Sequence, residues 1–387
     1  MSDASTLLRA PVLWTFATGR NTLGLFVDEQ HCWVANEGGR IFCLDHEANL
    51  QSQHQLPKGV KGLVADGDWI YAGCNDGRVY DLTGTVPRVA YELAGSTNIF
   101  WLDIHDGVLG VSDGLGNVLI VNHEDENQWS RKSEGRSGWM IRCDEIGVYH
   151  GHSGGVTMYD WEDGAVLWHQ PTQGGVLFGW QEEAFLYAGT SQGFVHVFQK
   201  NGAVGPVCRC DAPIFSCSAT PGGKYILAAD NKAAIYCFDE AGSRLWKLDS
   251  GCGSAFTMQF FQDRLYLTTT QGLLACMDAS EAALLEAGKG VLPTRRDVGG
   301  PVEAPAPVAL GMLETVREAS GGEAVVECVQ VGDRLRIRPV SEGYHKDWNV
   351  QFPKDIRVPG ARYVVESLRA ADKGGFYRAF GTIRRLT

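Results

Sequence analysis

The stretch YHGHSGGVTMYDWEDGAVLWHQPTQG, Tyr149–Gly174, reads as strand, tight turn, strand, second turn, strand. The first turn is His152-Ser153-Gly154-Gly155 and the second is Trp161-Glu162-Asp163-Gly164. The residues between the turns are β-branched or aromatic, and glycine supplies the positive φ that a tight hairpin turn needs. The unit recurs in WVANEGGRIFCLD (33–45), YAGCNDGRVYDL (71–82), GVSDGLGNVLIVN (110–122), YAGTSQGFVHVF (187–198), LAADNKAAIYCFD (227–239) and LTTTQGLLACMD (267–278). With the opening stretch this makes seven copies, spaced by about 37 to 40 residues, a period that fits four-stranded propeller blades.

Each copy is preceded by a mostly apolar segment: LGLFVD (23–28), KGLVAD (61–66), IFWLDI (99–104), GWMIRC (138–143), VLFGWQ (176–181), IFSCSA (214–219) and AFTMQF (255–260). Near-continuous apolarity suits a strand covered on both faces, here the innermost one. Outer strands show as AVLWHQ (165–170) and SRLWKL (243–248). No outer strand follows the seventh copy, where the chain enters ASEAALLEAGKG. The missing strand stands at the other end as PVLWTFATG (11–19), so Val12–Phe16 is expected to close the ring and remove an open sheet edge. The expected fold is all-β: a seven-bladed β-propeller over residues 10–283 closed by an N-terminal strand, plus a small C-terminal β domain.

In YDWEDGAVLWHQ and FDEAGSRLWKL, an Asp-bearing turn ends in Gly and a Trp follows four residues later. This pattern resembles the repeats of the quinoprotein-like (pyrroloquinoline-quinone-type, WD-like) β-propellers, over about residues 10–283. The resemblance implies architecture. Family enzymes that hold the quinone use a vicinal cysteine pair and a calcium site and are exported. This sequence has no adjacent Cys-Cys, so the cofactor does not carry over and none is expected.

Composition agrees with a turn-rich globular chain: 48 of 387 residues are glycine, against a usual share of about 7%. No apolar run reaches the roughly 20 residues that span a bilayer, and the first residues lack the pattern of a secretory signal. The 11 cysteines are odd in number and fall mostly in apolar strands, which points to a reducing cytoplasm. The net charge of −12 is uneven: residues 1–283 carry −15, residues 284–322 carry −1 and residues 323–387 carry +4. An acidic body with a basic tail suggests two domains with different partners. Residues 284–322, rich in Pro, Gly and Ala, read as a linker with a short helix from Leu310 to Ala319. Residues 323–387 read as two hairpins with WNVQFP between them, a barrel-like curled sheet of about five strands.

Chemistry-bearing residues are sparse. His150 and His152 share a strand face, but the aligned positions of other copies hold Ala72 and Cys74, or Ala188 and Thr190, so variation beside a turn is the simpler reading. Cys208, Cys210 and Cys217 lack a completing pair at zinc spacing. No metal site and no catalytic residues are expected. Gly114-Leu115-Gly116 sits in a hairpin turn, which fails the context of a dinucleotide loop. The outer-to-inner connections gather on one face and carry Arg20, Lys58, Lys61, Asn98, Ser137, Gln173 and Asp211, a ring of partner-binding candidates. In the C-terminal part Arg334, Arg336 and Arg338 alternate along one strand, with Trp348, Tyr377, Arg384 and Arg385 nearby. Arginines among aromatics suit a nucleic-acid surface or a docking surface. The sequence thus points to a non-catalytic interaction scaffold with protein partners, in an intracellular multi-component assembly and away from membranes. The alternatives are a nucleic-acid-binding factor acting through the C-terminal domain and an enzyme with its site in the central funnel.

Overall fold

The computed structural model of the chain describes residues 7–84, 86–93, 99–124, 126–301, 303–306, 310–371 and 373–387. The repeats fold as antiparallel sheets of consecutive strands. The first contains Thr22–Val27, Cys32–Asn36, Arg40–Leu44 and Leu50–Gln55, and five more four-stranded sheets follow in order. In the last sheet Ala255–Phe261, Arg264–Thr269 and Leu273–Asp278 are completed by Val12–Ala17, which pairs antiparallel with Leu273–Asp278. A fifth strand, Arg296–Gly299, runs parallel to Val12–Ala17 on the outer edge. Each innermost strand lies against that of the next sheet, and Thr22–Val27 meets Ala255–Phe261, so the sheets close a circle.

Two sequence features hold neighbouring sheets together. Second strands carry a small residue where the next innermost strand leans in. A Cβ on Gly73 would stand 2.0 Å from Leu102 Cδ2, and one on Gly189 would stand 2.7 Å from Ile214 Cγ2. Outer-strand tryptophans reach the following repeat: Trp14 Nε1 donates to His46 O at 3.0 Å, Trp129 to Trp161 O at 2.8 Å, and Trp168 to Lys200 O at 3.0 Å. Trp246 donates likewise to Leu284 O at 2.7 Å, in the short helix Glu281–Glu286 that follows the last sheet. Gly164 and Gly202 lie under the rings of Trp129 and Trp168, where a Cβ would come within 2.7 and 2.8 Å. Gly164 and Gly202 therefore join one sheet to the next, each serving the tryptophan of the preceding repeat.

The remaining chain wraps the outside of this ring. Arg40 Nη2 donates to Pro301 O and Glu303 O at 2.9 and 2.6 Å, and Arg88 Nη2 to Met312 O at 2.7 Å. The helix expected from Leu310 to Ala319 does not form. A turn at Leu310-Gly311 leads to the two-residue strand Thr315–Val316, which pairs with Arg385 and Leu386. Two β-branched residues beside an available sheet edge outcompete a helix too short to sustain itself.

Residues 323–387 form a further sheet. Ala324–Val331 pairs with Arg334–Pro339 and with Arg362–Ala370, which pairs in turn with Phe376–Leu386. Asn349–Gln351 adds to Phe376–Leu386 in parallel and lies beside Arg334–Pro339, where Ile337 N–H donates to Asn349 Oδ1 at 3.3 Å. The sheet thus curls nearly closed around its own core of Val326, Cys328, Ile337, Val350, Phe352 and Tyr363.

Candidate interaction site

Every innermost strand slips register by one residue near its start: between Thr22 and Gly24, Val60 and Gly62, Ile99 and Trp101, Gly138 and Met140, Val176 and Phe178, Ile214 and Ser216, and Ala255 and Thr257. A bulge leaves its extra residue unpaired and re-aims that side chain. The skipped residues are Leu23, Lys61, Phe100 and Trp139 in the first four sheets, then Leu177, Phe215 and Phe256. All seven line one cavity of about 240 Å³ at the mouth of the central channel. Their flanking residues are buried, apart from Trp101 beside Phe100, whereas these seven are partly exposed, Trp139 to 39%. Phe215 and Phe256 stack with centroids 5.5 Å apart, and Phe100 meets Trp139 edge-on at 4.6 Å. Lys61 Nζ stands 4.3 Å from the Phe100 ring centre, and burial pushes its pKa down while Glu37 partly offsets this.

A second cavity of about 240 Å³ continues inward and shares Leu23, Lys61 and Trp101 with the mouth. Here Arg142 donates from Nε and Nη2 to Gly179 O at 2.9 and 2.7 Å, with Trp101, Phe178 and Trp180 around its guanidinium. Asp103 is the carboxylate beside it, but it accepts the N–H groups of Cys143 and Ile104 at 2.9 and 3.1 Å. Burial pushes the Asp103 carboxyl up, against the lowering effect of Arg142.

The connections that precede the innermost strands surround this mouth. Arg20, Lys58 and Gln173 are exposed there and Ser137 is half-buried; Asn98 lies outside the described residues. Lys61 alone of the candidates belongs to the ring of bulged residues. Asp211 is engaged within the chain, pairing with Arg244 and Lys247 at 2.8 and 2.9 Å, and these bonds hold its pKa below the usual carboxylate range. His152 caps its turn: Nδ1 accepts from Gly154 N–H at 3.1 Å, the place filled by the Asp113 and Asp230 carboxylates in other repeats. Cys208, Cys210 and Cys217 are buried, and among the described residues no three His, Cys, Asp or Glu side chains converge as a metal requires.

The arginine strand of residues 334–338 is not a free basic face. Arg334 pairs with Glu126 at 2.7 Å, and Arg336 pairs with Glu124 at 2.9 Å and with Glu126. Arg338 is half-buried on the same strand, opposite Glu327. Arg378 pairs with Asp66 while its guanidinium lies 4.7 Å from the Trp69 ring centre, and Arg369 pairs with Asp68. The carboxylates come from turns after innermost and third strands, on the face opposite the channel mouth. Trp348 and Tyr377 pack on each other at 5.1 Å, together with Tyr344 and His345. Arg384 pairs with Glu323, and Arg385 is exposed on the last strand. Sequence reasoning missed Arg369 and Arg378 as docking residues, although the opposite charges of the two regions were their signal. It also missed the bulged ring, which was visible as the second residue of each innermost strand.

No protein-family model matches the chain, and no curated protein matches it. Among solved structures the chain is similar to the WD40 β-propeller domain of Doa1, with a TM-score of 0.59 at 11% identity over 72% of this chain and 99% of that one. It is also similar to the computationally designed Ika8 protein, with a TM-score of 0.57 at 14% identity over 69% of this chain and 99% of that one. The chain has a β-propeller fold. At these identities the likeness concerns the fold alone. No helix among the described residues is long and apolar enough to cross a membrane.

Proposed function

We propose that this protein is a non-catalytic protein-interaction scaffold that receives a partner at the channel mouth. In this reading residues 10–283 are a seven-bladed propeller of quinoprotein-like repeats. Residues 284–322 are a strap, and residues 323–387 are a docked β module on the opposite face. The indole latches from Trp14, Trp129, Trp168 and Trp246 support the repeat type. Eleven free, buried cysteines support a cytoplasmic setting. The observation that carries the function is the ring of partly exposed large apolar side chains at the axis. Contiguous exposed apolar surface on a rigid scaffold marks a docking site.

The test is capture of the full-length tagged protein from its native host after nuclease treatment, beside a Phe215→Asp/Phe256→Asp variant with an unchanged circular dichroism spectrum. A stoichiometric protein partner held by the parent and lost by the variant is the expected result. Partners retained by the variant, or material that vanishes with nuclease, would overturn it.

A further inference from the structure

The chemistry of the occupant can be read from what the channel leaves unmatched. Six of the seven bulged residues are apolar, and the seventh, Lys61, has no ion pair within 4 Å among the described residues. Its ammonium rests over the Phe100 ring instead, a contact that partly compensates lost hydration without neutralising the charge. Glu37 stands on the same face and is exposed, beyond ion-pair distance. Deeper in, Arg142 gives two hydrogen bonds to one backbone carbonyl, from Nε and Nη2, and Nη1 makes none among the described residues. Asp103 lies near but makes no ion pair with it within 4 Å among the described residues. The oxygens of Asp103 already accept backbone N–H groups, and its burial favours the protonated form.

The two cations line the same inner cavity. Lys61 is at the mouth, and Arg142 is three residues inward of Trp139 on its strand, a rise of about 10 Å. The contiguous cavities of about 240 Å³ each give room for a short chain segment between them. The remainder of the inner lining is largely apolar, with Trp101 and Trp180 among aliphatic side chains; its polar groups are Gln181, Gln259, Thr257 and the Asp103 carboxylate already engaged by backbone N–H groups. An occupant carrying a positive charge would be repelled by Lys61 and Arg142, and a purely apolar one would leave both without a direct ion pair.

We infer that the segment received at the mouth is an apolar peptide bearing a carboxylate, its large side chains among the ring phenylalanines and Trp139 and its carboxylate directed to Lys61 and Arg142. This rests on the reading of the mouth as a partner site. Charge-assisted hydrogen bonds of a cation with a carboxylate in a partly desolvated channel are stronger than neutral ones, so the carboxylate should dominate selectivity.

The test is isothermal titration of the full-length protein with three probes: acetyl-Gly-Ser-Phe-Leu-Phe with a free carboxylate, the same peptide as its amide, and an amide of the peptide extended by Asp. Binding of a carboxylate-bearing peptide at least about ten-fold tighter than the plain amide is expected. The third probe separates a side-chain carboxylate from a terminal one, and preference for either supports the inference. Lys61→Gln, a substitution at the open mouth that leaves the core intact, should narrow the ratio to about three-fold or less, and Arg142→Lys should weaken the acid form selectively. Equal binding of acid and amide, preference for the amide, or no saturable binding up to millimolar peptide would overturn the inference. If the ring variant still lost its captured partner in that case, the scaffold reading would stand and only the carboxylate preference would fall.

Discussion

The two faces of the ring treat charge in opposite ways. On the closed face, Asp66, Asp68, Glu124 and Glu126 meet Arg378, Arg369, Arg336 and Arg334 from the C-terminal sheet. On the open face, Lys61 and Arg142 stand without ion-pair partners among the described residues, surrounded by rings that are partly exposed. Part of the acidic body and part of the basic tail seen in the composition thus meet at one internal interface. A charge imbalance between regions of one chain can be satisfied inside that chain. In the proposed reading, the surface that receives a partner is the one where charges and apolar groups remain unmatched.

The closed face breaks most sharply at Arg378. Its side chain is 5% exposed, it pairs with Asp66, and it donates to Asp66 O at 3.0 Å. Arg378→Ala leaves the Asp66 carboxylate and Trp69 facing an uncompensated, poorly solvated gap, which should cost about 3 kcal/mol in urea unfolding. A loss below about 1 kcal/mol would show that the interface contributes little to stability.

The next effect is acid sensitivity, and it sits in the wall rather than at either face. His150 and His152 are fully buried, and burial pushes their pKa values down to about 3 and about 4. Neither ring nitrogen of His150 has a hydrogen-bond partner among the described residues. The unfolded chain takes up protons near pH 6.5 that the folded chain refuses. The contribution of both residues is therefore complete above that pH and lost as the pH falls towards 4. Each histidine should remove about 1.4 kcal/mol per pH unit, so roughly 2 kcal/mol by pH 5. His150→Leu, matched to its apolar surroundings, should show a shallower loss between pH 7.5 and pH 5 than the parent. Equal losses would place the acid sensitivity elsewhere.

The architecture was legible because its causes are local and repeated. Turn glycines and β-branched strands recur at one spacing, Gly-x-x-x-Trp marks two of the repeats, and the missing last outer strand pointed to Val12–Phe16. The strap was misread at Leu310–Ala319 because its strand depends on an edge, Arg385–Leu386, some 70 residues away in sequence. The arginines were seen as a stripe, but what they face could not be read: Glu124 and Glu126 lie about 210 residues away. The bulged ring escaped because a bulge breaks the alternation on which strand faces are assigned. Lys61 was found only through its loop, whereas Phe100, Trp139, Phe215 and Phe256 looked like core.

A smaller effect separates the wall from both faces. Trp168→Phe keeps the packed ring but removes the N–H that reaches Lys200 O, leaving that carbonyl short of a donor. About 1 kcal/mol should be lost in urea unfolding, with the captured partner unchanged. A partner lost together with the latch would mean that the mouth senses the spacing of the sheets.

The smallest expected change in stability is at the open face, and there it is the most informative. Leu177 is a half-buried member of the ring, at the bulge between Val176 and Phe178, and its backbone pairs with neither neighbour's partner. Leu177→Asp removes little buried area and places a carboxylate where water already reaches, so stability should change by no more than about 0.5 kcal/mol. The same carboxylate would stand in the ring with Lys61 and repel an acidic segment entering the channel. Partner capture, and the preference for an acid over an amide peptide, should both fall sharply in this variant. If the variant proved as unstable as Arg378→Ala, the ring would be part of the core, and the contrast between a satisfied face and a waiting one would fail.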